Sequence, residues 1–231
     1  CSNHGIGVDW QNNKKIFEEV GIEIINSTGF YKTPFMPDYV STASVEELAQ
    51  IMLEDIAKGA KVIGEIGTSK WTNDEHNVFE ATVIAQKKTN VVIITHTTLG
   101  TLIREQVDFF LENGINPKKV IISHVALSND LDAIRYALQK GFNVAFDTIG
   151  KTKYLPDETR VQFMKTLIQE GYMHQLLMSM DITRQSHLKK NGGVGYAYLL
   201  DTFIPMLEQA GISEDTITTI TAKNFTEILE A

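Results

Sequence analysis

Four short apolar runs in this sequence each end in a residue that can bind a divalent metal ion. Runs 62–65 and 176–181 end in the carboxylates Glu65 and Asp181, and runs 91–96 and 120–124 end in the imidazoles His96 and His124. In a parallel α/β fold the carboxyl ends of the strands meet at one rim, where active sites are found. Two imidazoles and two carboxylates at such a rim suit zinc, manganese or a similar divalent ion.

This set of residues favours metal-assisted hydrolysis. A bound ion lowers the pKa of a water ligand from ~15.7 towards ~7, which makes hydroxide available at neutral pH. Asp181 is the candidate both for a metal ligand and for the carboxylate that accepts the proton. The alternative for each histidine taken singly is a structural, hydrogen-bonded role. Burying all four groups unpaired at one rim would, however, cost several kcal/mol.

The elements that must position these residues alternate between strands and helices. Predicted helices lie near residues 10–20, 43–58, 74–89, 101–113, 129–140, 156–170 and 195–210. Ser44 and Glu47 have the spacing of a capping box, and glycines such as Gly59 and Gly141 fall where helices should end. The predicted strands, rich in β-branched and other apolar residues, are 22–27, 62–67, 91–96, 119–124, 143–147 and 176–181. This alternation predicts one α/β domain over residues 1–231, either a doubly wound sheet or a (β/α)8 barrel.

Composition narrows the functional classes. The 231 residues include 21 basic and 29 acidic side chains, a net charge of −8, which argues against a nucleic-acid partner. No apolar run approaches the ~20 residues of a membrane span. The single cysteine, Cys1, cannot form an internal disulfide, so we expect a protein of the reducing cytoplasm.

Longer motifs extend along the whole chain: STGFY at 27–31, GEIGTS at 64–69, ISH at 122–124, FDTIG at 146–150 and SMDITRQSHLK at 179–189. With these motifs the sequence resembles the phosphotriesterase family of the amidohydrolase superfamily, in particular its bacterial homology-protein branch. The resemblance implies a distorted (β/α)8 TIM barrel with a binuclear metal centre, typically two Zn²⁺, with Mn²⁺ as the alternative.

The resemblance also implies a role for each ligand. His96 and His124 would bind the more exposed metal ion. Asp181 would bind the more buried one and act as the proton shuttle. Glu65 would bridge the two ions, at the position where the phosphotriesterases proper carry a carbamylated lysine.

Two departures from the family pattern concern the amino-terminal half. The family's first strand carries a His-x-His pair, and this sequence has no His-x-His. The junction at 59–61 is also shorter than in family members. We therefore expect that the sequence is N-terminally incomplete and lacks the first strand of the barrel.

The substrate expected from the resemblance is a lactone or another ester. Arg184 and Lys189 belong to a cationic segment after the last predicted strand, and barrels often bind phosphate in this region. We therefore predict that they bind an anionic group on the substrate, such as a phosphate; the alternative is a solvated surface loop. Tyr31 is predicted to line the pocket, although an exposed aromatic residue is the simpler interpretation.

Two rival functions stay open at this point. One is another metal-dependent hydrolase of the barrel type, such as a deaminase. The other is a non-catalytic barrel that binds a small ligand and has lost one metal site, which the absence of His-x-His favours if the sequence is complete. A homodimer is compatible with the resemblance, because family members are often dimers.

Overall fold

The computed structural model describes residues 4–7 and 9–230 and contains a parallel β-sheet. Cys1 lies outside these residues. Within them, the sheet has six strands, and their order in the sheet follows their order in the chain. The strands are β1 (Ser27–Thr28), β2 (Val62–Thr68), β3 (Val92–Thr97), β4 (Val120–Ser123), β5 (Asn143–Phe146) and β6 (Leu176–Met178). Parallel neighbours need crossover connections, and helices supply them here. The predicted parallel α/β class is confirmed.

Among the described residues, α-helices lie before, between and after these strands. They are α1 (Trp10–Val20), α2 (Val45–Ala57), α3 (Asn73–Thr89), α4 (Ile103–Glu112), α5 (Leu131–Gln139), α6 (Asp157–Gln169), α7 (Ile204–Gln209), α8 (Glu214–Thr218) and α9 (Asn224–Glu230). Two π-helical segments, Leu199–Phe203 and Thr219–Lys223, lead into α7 and α9. No helix among the described residues is both long and apolar enough to cross a membrane.

Local signals in the sequence explain where several helices begin and end. Ser44 and Glu47 form the predicted capping box of α2, and Thr72 with Glu75 forms a second one at α3. Each box satisfies backbone N–H groups that the first helical turn leaves without a partner. Helix α1 ends at Gly21, which adopts the left-handed conformation that glycine reaches without strain.

The chain divides into two compact units. The first comprises Cys1–Thr98 and Asp108–Ile121, and the second comprises Leu99–Val107 and Ile122–Ala231. In the first unit, Ile63, Ile66 and Ile93 of the sheet are fully buried, as is Phe110. The core of the second unit contains the fully buried side chains Phe142, Phe146, Met164 and Phe203.

The largest difference from the predicted elements lies before β1. The apolar run 22–27 was expected to form a strand, but the strand is confined to Ser27–Thr28, which pairs with Val62 and Ile63. Ile22 and Ile25 are 63% and 40% exposed. A β-branched run becomes a strand only where a neighbouring strand pairs with it. Among the described residues, the pairing with β2 begins at Ser27, next to a hydrogen bond of 2.9 Å from the N–H of Lys61 to the carbonyl of Asn26.

Candidate metal centre

Glu65 lies in the middle of β2, and His96 lies near the carboxyl end of the neighbouring strand β3 in the first unit. Strand β2 pairs in parallel with β3, with Gly64 opposite Ile94 and Ile66 opposite Thr95. Glu65 is therefore an extra residue, a β-bulge, between two paired positions. Bulges re-aim a side chain and are common beside active sites. This explains why Glu65 is half-buried in a strand whose other residues are buried.

Gly64 is required beside this bulge because the two backbones come close together. A Cβ atom at position 64 would lie 2.2 Å from the carbonyl oxygen of Ile94 and 2.9 Å from its Cβ atom. The φ angle of Gly64 is +150°, which a residue with a side chain rarely adopts. Its missing side chain thus allows β2 to approach β3 where Glu65 meets His96.

The ring of His96 is surrounded by polar groups of the first unit. Its Nδ1 atom lies 3.8 Å from Oε2 of Glu65 and 3.1 Å from the hydroxyl of Tyr31. Its Nε2 atom lies 3.3 Å from the hydroxyl oxygen of Thr98. Tyr31 is half-buried and contacts His96 edge to face, with ring centroids 4.8 Å apart. The structure thus brings Tyr31, Glu65 and His96 together.

Glu75 is a residue of this region that the sequence analysis did not select. It is fully buried, and its Oε1 atom accepts hydrogen bonds from the backbone N–H and the hydroxyl of Ser69, at 2.9 and 2.6 Å. The same oxygen accepts the N–H of Thr33 at 3.3 Å. Glu75 therefore connects the segment after β1, which carries Tyr31, to the end of β2, the strand that carries Glu65. The sequence does contain a signal that could have identified Glu75: it stands three residues after Thr72, the spacing that is typical of a capping box.

In the second unit, His124 follows β4 and is oriented by Asp147. The Oδ1 atom of Asp147 lies 2.9 Å from both the backbone nitrogen and the Nδ1 atom of His124. Because a carboxylate only accepts, Nδ1–H is the donor and Nε2 is left as the ligand atom. A carboxylate that orients a histidine in this way is typical of metal sites. Asp147 occupies that position.

Asp181 lies three residues beyond the end of β6 and contacts Lys151, which follows β5. The carboxylate of Asp181 accepts a short hydrogen bond from the ammonium group of Lys151, and both side chains are 19% exposed. The φ angles of Asp181 and His124 are +44° and +60°. Such left-handed conformations are uncommon for residues other than glycine and occur often at functional sites.

The segment after Asp181 carries the predicted anion-binding residues. Arg184 and Lys189 are both exposed. Between them, His187 accepts a hydrogen bond from the backbone N–H of Thr183 at 3.3 Å. Burial is the main cause of a lowered pKa at His187, and the positive charge of Lys151 is the next; the charge of Asp181 acts in the opposite direction.

The chemistry of the donors fits a divalent metal ion. Glu65, His96 and His124 each offer one ligand atom, a carboxylate oxygen or an imidazole nitrogen. Zinc binds this combination readily, and manganese accepts its oxygen and nitrogen donors. That Asp181 completes the set, and that Arg184, Lys189 and Tyr31 bind substrate, are predictions that the structure does not test.

Histidine and carboxylate side chains carried by the strands of a parallel α/β fold and by the segments after them are typical of metal-dependent hydrolases. The sequence pattern of the Phosphotriesterase family matches residues 1–229. The chain belongs to the phosphotriesterase family, and the predicted resemblance is confirmed.

Known relatives support this membership. The Phosphotriesterase homology protein of Escherichia coli (strain K12) is 40% identical over 232 residues, which cover 96% of this chain and 80% of that protein. A crystal structure of the E. coli protein with phosphate in its active site has a TM-score of 0.95 and covers 98% of this chain and 81% of that one. The N-acetyltaurine hydrolase of Pongo abelii is 30% identical, with 95% of this chain and 69% of that protein covered.

A further solved structure relates the fold to lactonases. It is a mutant of a phosphotriesterase-like lactonase from Deinococcus radiodurans, with a TM-score of 0.86 and 25% identity, and it covers 96% of this chain and 78% of that one. Its likeness, with that of the E. coli protein, confirms the predicted TIM-barrel class.

Proposed function

We propose that the protein is a metal-dependent hydrolase of ester bonds whose substrate is a lactone or an ester that carries a phosphate. Glu65, His96, His124 and Asp181 would bind two divalent ions, Zn²⁺ or Mn²⁺. The observation that carries this proposal is the β-bulge that directs Glu65 to within 3.8 Å of His96. A bulge that interrupts a buried ladder to place a carboxylate beside an imidazole has no evident purpose in packing.

Each residue has a defined task in this proposal. A divalent ion bound there supplies Lewis acidity and lowers the pKa of a water molecule. Glu65 would provide a carboxylate ligand, and the imidazoles of His96 and His124 would provide neutral nitrogen ligands. Asp147 holds the ring of His124 through the 2.9 Å contact at Nδ1. Asp181 would accept the proton of the attacking water, the task of a general base.

The proposed substrate is supported by the positively charged residues after β6 and by what the relatives bind or hydrolyse. Arg184 and Lys189 are exposed cations after β6, suited to bind a phosphate or carboxylate. The E. coli relative has been crystallised with phosphate in its active site, and the D. radiodurans relative is a lactonase. The hydroxyl of Tyr31, which lies near His96, would contact the reacting end of the substrate.

The remaining parts of the proposal concern the whole chain. We propose a single catalytic domain over residues 1–231 that acts in the cytoplasm, supported by the single cysteine, and that forms a homodimer, as the resemblance suggests. Sedimentation velocity tests the dimer: a single species with the mass of one chain would contradict it.

A panel of substrates tests the activity. The purified protein, loaded with Zn²⁺ or Mn²⁺, is offered matched lactones and carboxylic esters with and without a phosphate group. We expect metal-dependent hydrolysis that a chelator abolishes and added metal restores, with the phosphorylated substrates preferred.

Two outcomes would contradict the proposal. Hydrolysis that survives complete metal removal would contradict the role of the metal. A folded protein that retains metal and cleaves no ester would favour the alternative, a barrel that binds a ligand without catalysis.

A further inference from the structure

Lys151 is the cation that contacts the proposed catalytic carboxylate. It lies in the loop 147–156, between β5 and α6, and its ammonium group donates to Asp181. Arg184 and Lys189 are exposed, whereas the side chain of Lys151 is 19% exposed. An ammonium group has three donors, so a bond to Asp181 leaves donors for a second anion.

A fully buried arginine holds the backbone of this loop. One terminal nitrogen of Arg160, in α6, donates to the carbonyl of Leu155 at 2.5 Å and to the carboxylate of Asp157 at 2.7 Å. The other donates to the carbonyl of Lys151 at 3.3 Å. The Nε atom of Arg160 is buried without a hydrogen-bond partner. A buried guanidinium with an unpaired N–H is costly, so its presence points to a task other than stability.

Asp157 connects this arginine to two further points of the site. Both of its carboxylate oxygens lie 3.2 Å from the backbone nitrogen of Gly150, the residue before Lys151. One of them accepts the hydroxyl of Tyr198 at 2.9 Å. Tyr198 ends the segment that follows β6 and carries Asp181. Arg160, Asp157 and Tyr198 therefore join the two segments that present Lys151 and Asp181.

The charges around these segments are mostly positive. The positive charges of Lys151, Arg184 and Lys153 contribute to the lowered pKa of His187, and the negative charge of Asp181 acts in the opposite direction. Clustered cations at a partly buried site favour a ligand that carries negative charge.

We propose that Lys151 binds the anionic group of the substrate and that Arg160, a positioning residue, sets the place of Lys151 through its backbone carbonyl. This inference rests on the proposed function, since it names the recognition group of the same site. It assigns to Lys151 the anion-binding role that was predicted from the sequence chiefly for Arg184 and Lys189.

The test uses inorganic phosphate as the probe and the full chain saturated with Zn²⁺. Isothermal titration calorimetry compares the parent with Lys151→Met, and metal content is measured for each protein. The control is Lys140→Met, because Lys140 is an exposed cation outside this loop whose ammonium lies 5.5 Å from the ring of Tyr136. We expect Lys151→Met to raise the Kd for phosphate about tenfold or more, as for loss of a charge-assisted hydrogen bond, and Lys140→Met to change it less than about twofold.

A double-mutant cycle tests the positioning role. Arg160→Met should weaken phosphate binding, and Arg160→Met with Lys151→Met should bind no more weakly than Lys151→Met alone, because Arg160 acts through Lys151. Should Arg160→Met fail to fold, Tyr198→Phe replaces it in the cycle, since it removes only the hydroxyl that binds Asp157. Additive effects would contradict the positioning role.

Other outcomes separate this inference from the proposed function. Lys151→Met that binds phosphate as tightly as the parent, or a parent that binds none, would contradict the inference. So would a Lys151→Met protein that loses its zinc, because Lys151 would then act on Asp181 and not on the anion. A protein that binds phosphate through Lys151 but hydrolyses no ester would contradict the proposed function alone.

Discussion

His124 and Asp181 are the two candidate ligands whose backbones adopt left-handed conformations, with φ angles of +60° and +44°. Such conformations cost of order 1–3 kcal/mol each in residues other than glycine. Both residues lie just beyond a strand end, where the chain must turn away from the sheet. We interpret this backbone strain as a consequence of directing both side chains toward the edge of the sheet where the strands end.

Replacing Asp147 tests how His124 is oriented. Asp147→Asn keeps an acceptor near Nδ1 but removes the charge that favours the Nδ1–H form of the ring. We expect the affinity for Zn²⁺ to fall roughly 10–100-fold, the usual effect of losing an orienting carboxylate, with little change in the folded structure. Competition with a chromophoric chelator measures the affinity. Asp132→Asn, at an exposed helical position, is the control; equal affinities in both variants would contradict the role of Asp147.

The ligand candidates could be predicted from the sequence, but their partners could not. Glu65, His96 and His124 each end an apolar run, a signal that needs no knowledge of the fold. The bond between Lys151 and Asp181 joins residues 30 positions apart. From the sequence, Arg160 is indistinguishable from an exposed polar residue of α6, although it is fully buried. Such contacts depend on tertiary packing, which cannot be inferred from the pattern of apolar residues along the chain.

Among the secondary-structure elements, helices were predicted well where capping residues mark their ends. Strands were predicted well where a neighbouring strand pairs with them. Helix α2 was expected at 43–58 and is found at Val45–Ala57, because its capping box and Gly59 are local signals. The strand expected at 22–27 failed because pairing with a neighbouring strand is not a local property. The helices after residue 211 were not predicted, although Ser213 caps α8 by accepting from the N–H of Thr216.

The close approach of β2 to β3 gives a testable consequence. Gly64→Ala would place a Cβ atom 2.2 Å from the carbonyl oxygen of Ile94, so the strands must separate. We expect a loss of about 1–3 kcal/mol in the free energy of unfolding, measured with urea. Gly192→Ala is the matched control, because its φ angle is also positive and nothing lies within 4 Å of the added atom. A Gly64→Ala variant no less stable than the control would contradict the proposed contact.

The ion pair between α5 and the end of α6 gives a dependence of stability on pH. Arg135 donates two hydrogen bonds of 2.8 Å to Glu170, and these bonds lower the pKa of the Glu170 carboxyl below its ordinary value. A lowered folded-state pKa stabilises the protein above the unfolded-state pKa of about 4.3, and this stabilisation is lost as the pH falls through the folded-state value.

Glu170→Gln should therefore lose stability at pH 7 and none at a pH below the folded-state pKa. Thermal unfolding followed by circular dichroism from pH 7 to pH 3 measures this difference. Glu208→Gln, an exposed glutamate of α7, provides the comparison. The same loss at both ends of the pH range would contradict the assignment.

For the whole molecule, the net charge is unfavourable to an anionic substrate, whereas the local distribution of charge is favourable to one. The net charge of −8 opposes the approach of anions. Lys151, Arg184 and Lys189 place local positive charge in the segments after β5 and β6. Binding of an anion would therefore depend on short-range contacts at these segments. Because salt screens such contacts less than it screens long-range attraction, we expect the affinity for the anion to fall only weakly as the salt concentration rises.

The most direct test of the metal-dependent hydrolase measures zinc content and ester hydrolysis on the same preparations of the parent, Glu65→Ala and the exposed control Glu112→Ala. We expect the parent and the control to bind Zn²⁺ and to hydrolyse the ester, and Glu65→Ala to lose at least about tenfold in both, because the carboxylate on the bulge is a metal ligand. A folded parent that binds no zinc, or a Glu65→Ala variant that keeps both its zinc and its activity, would contradict this account.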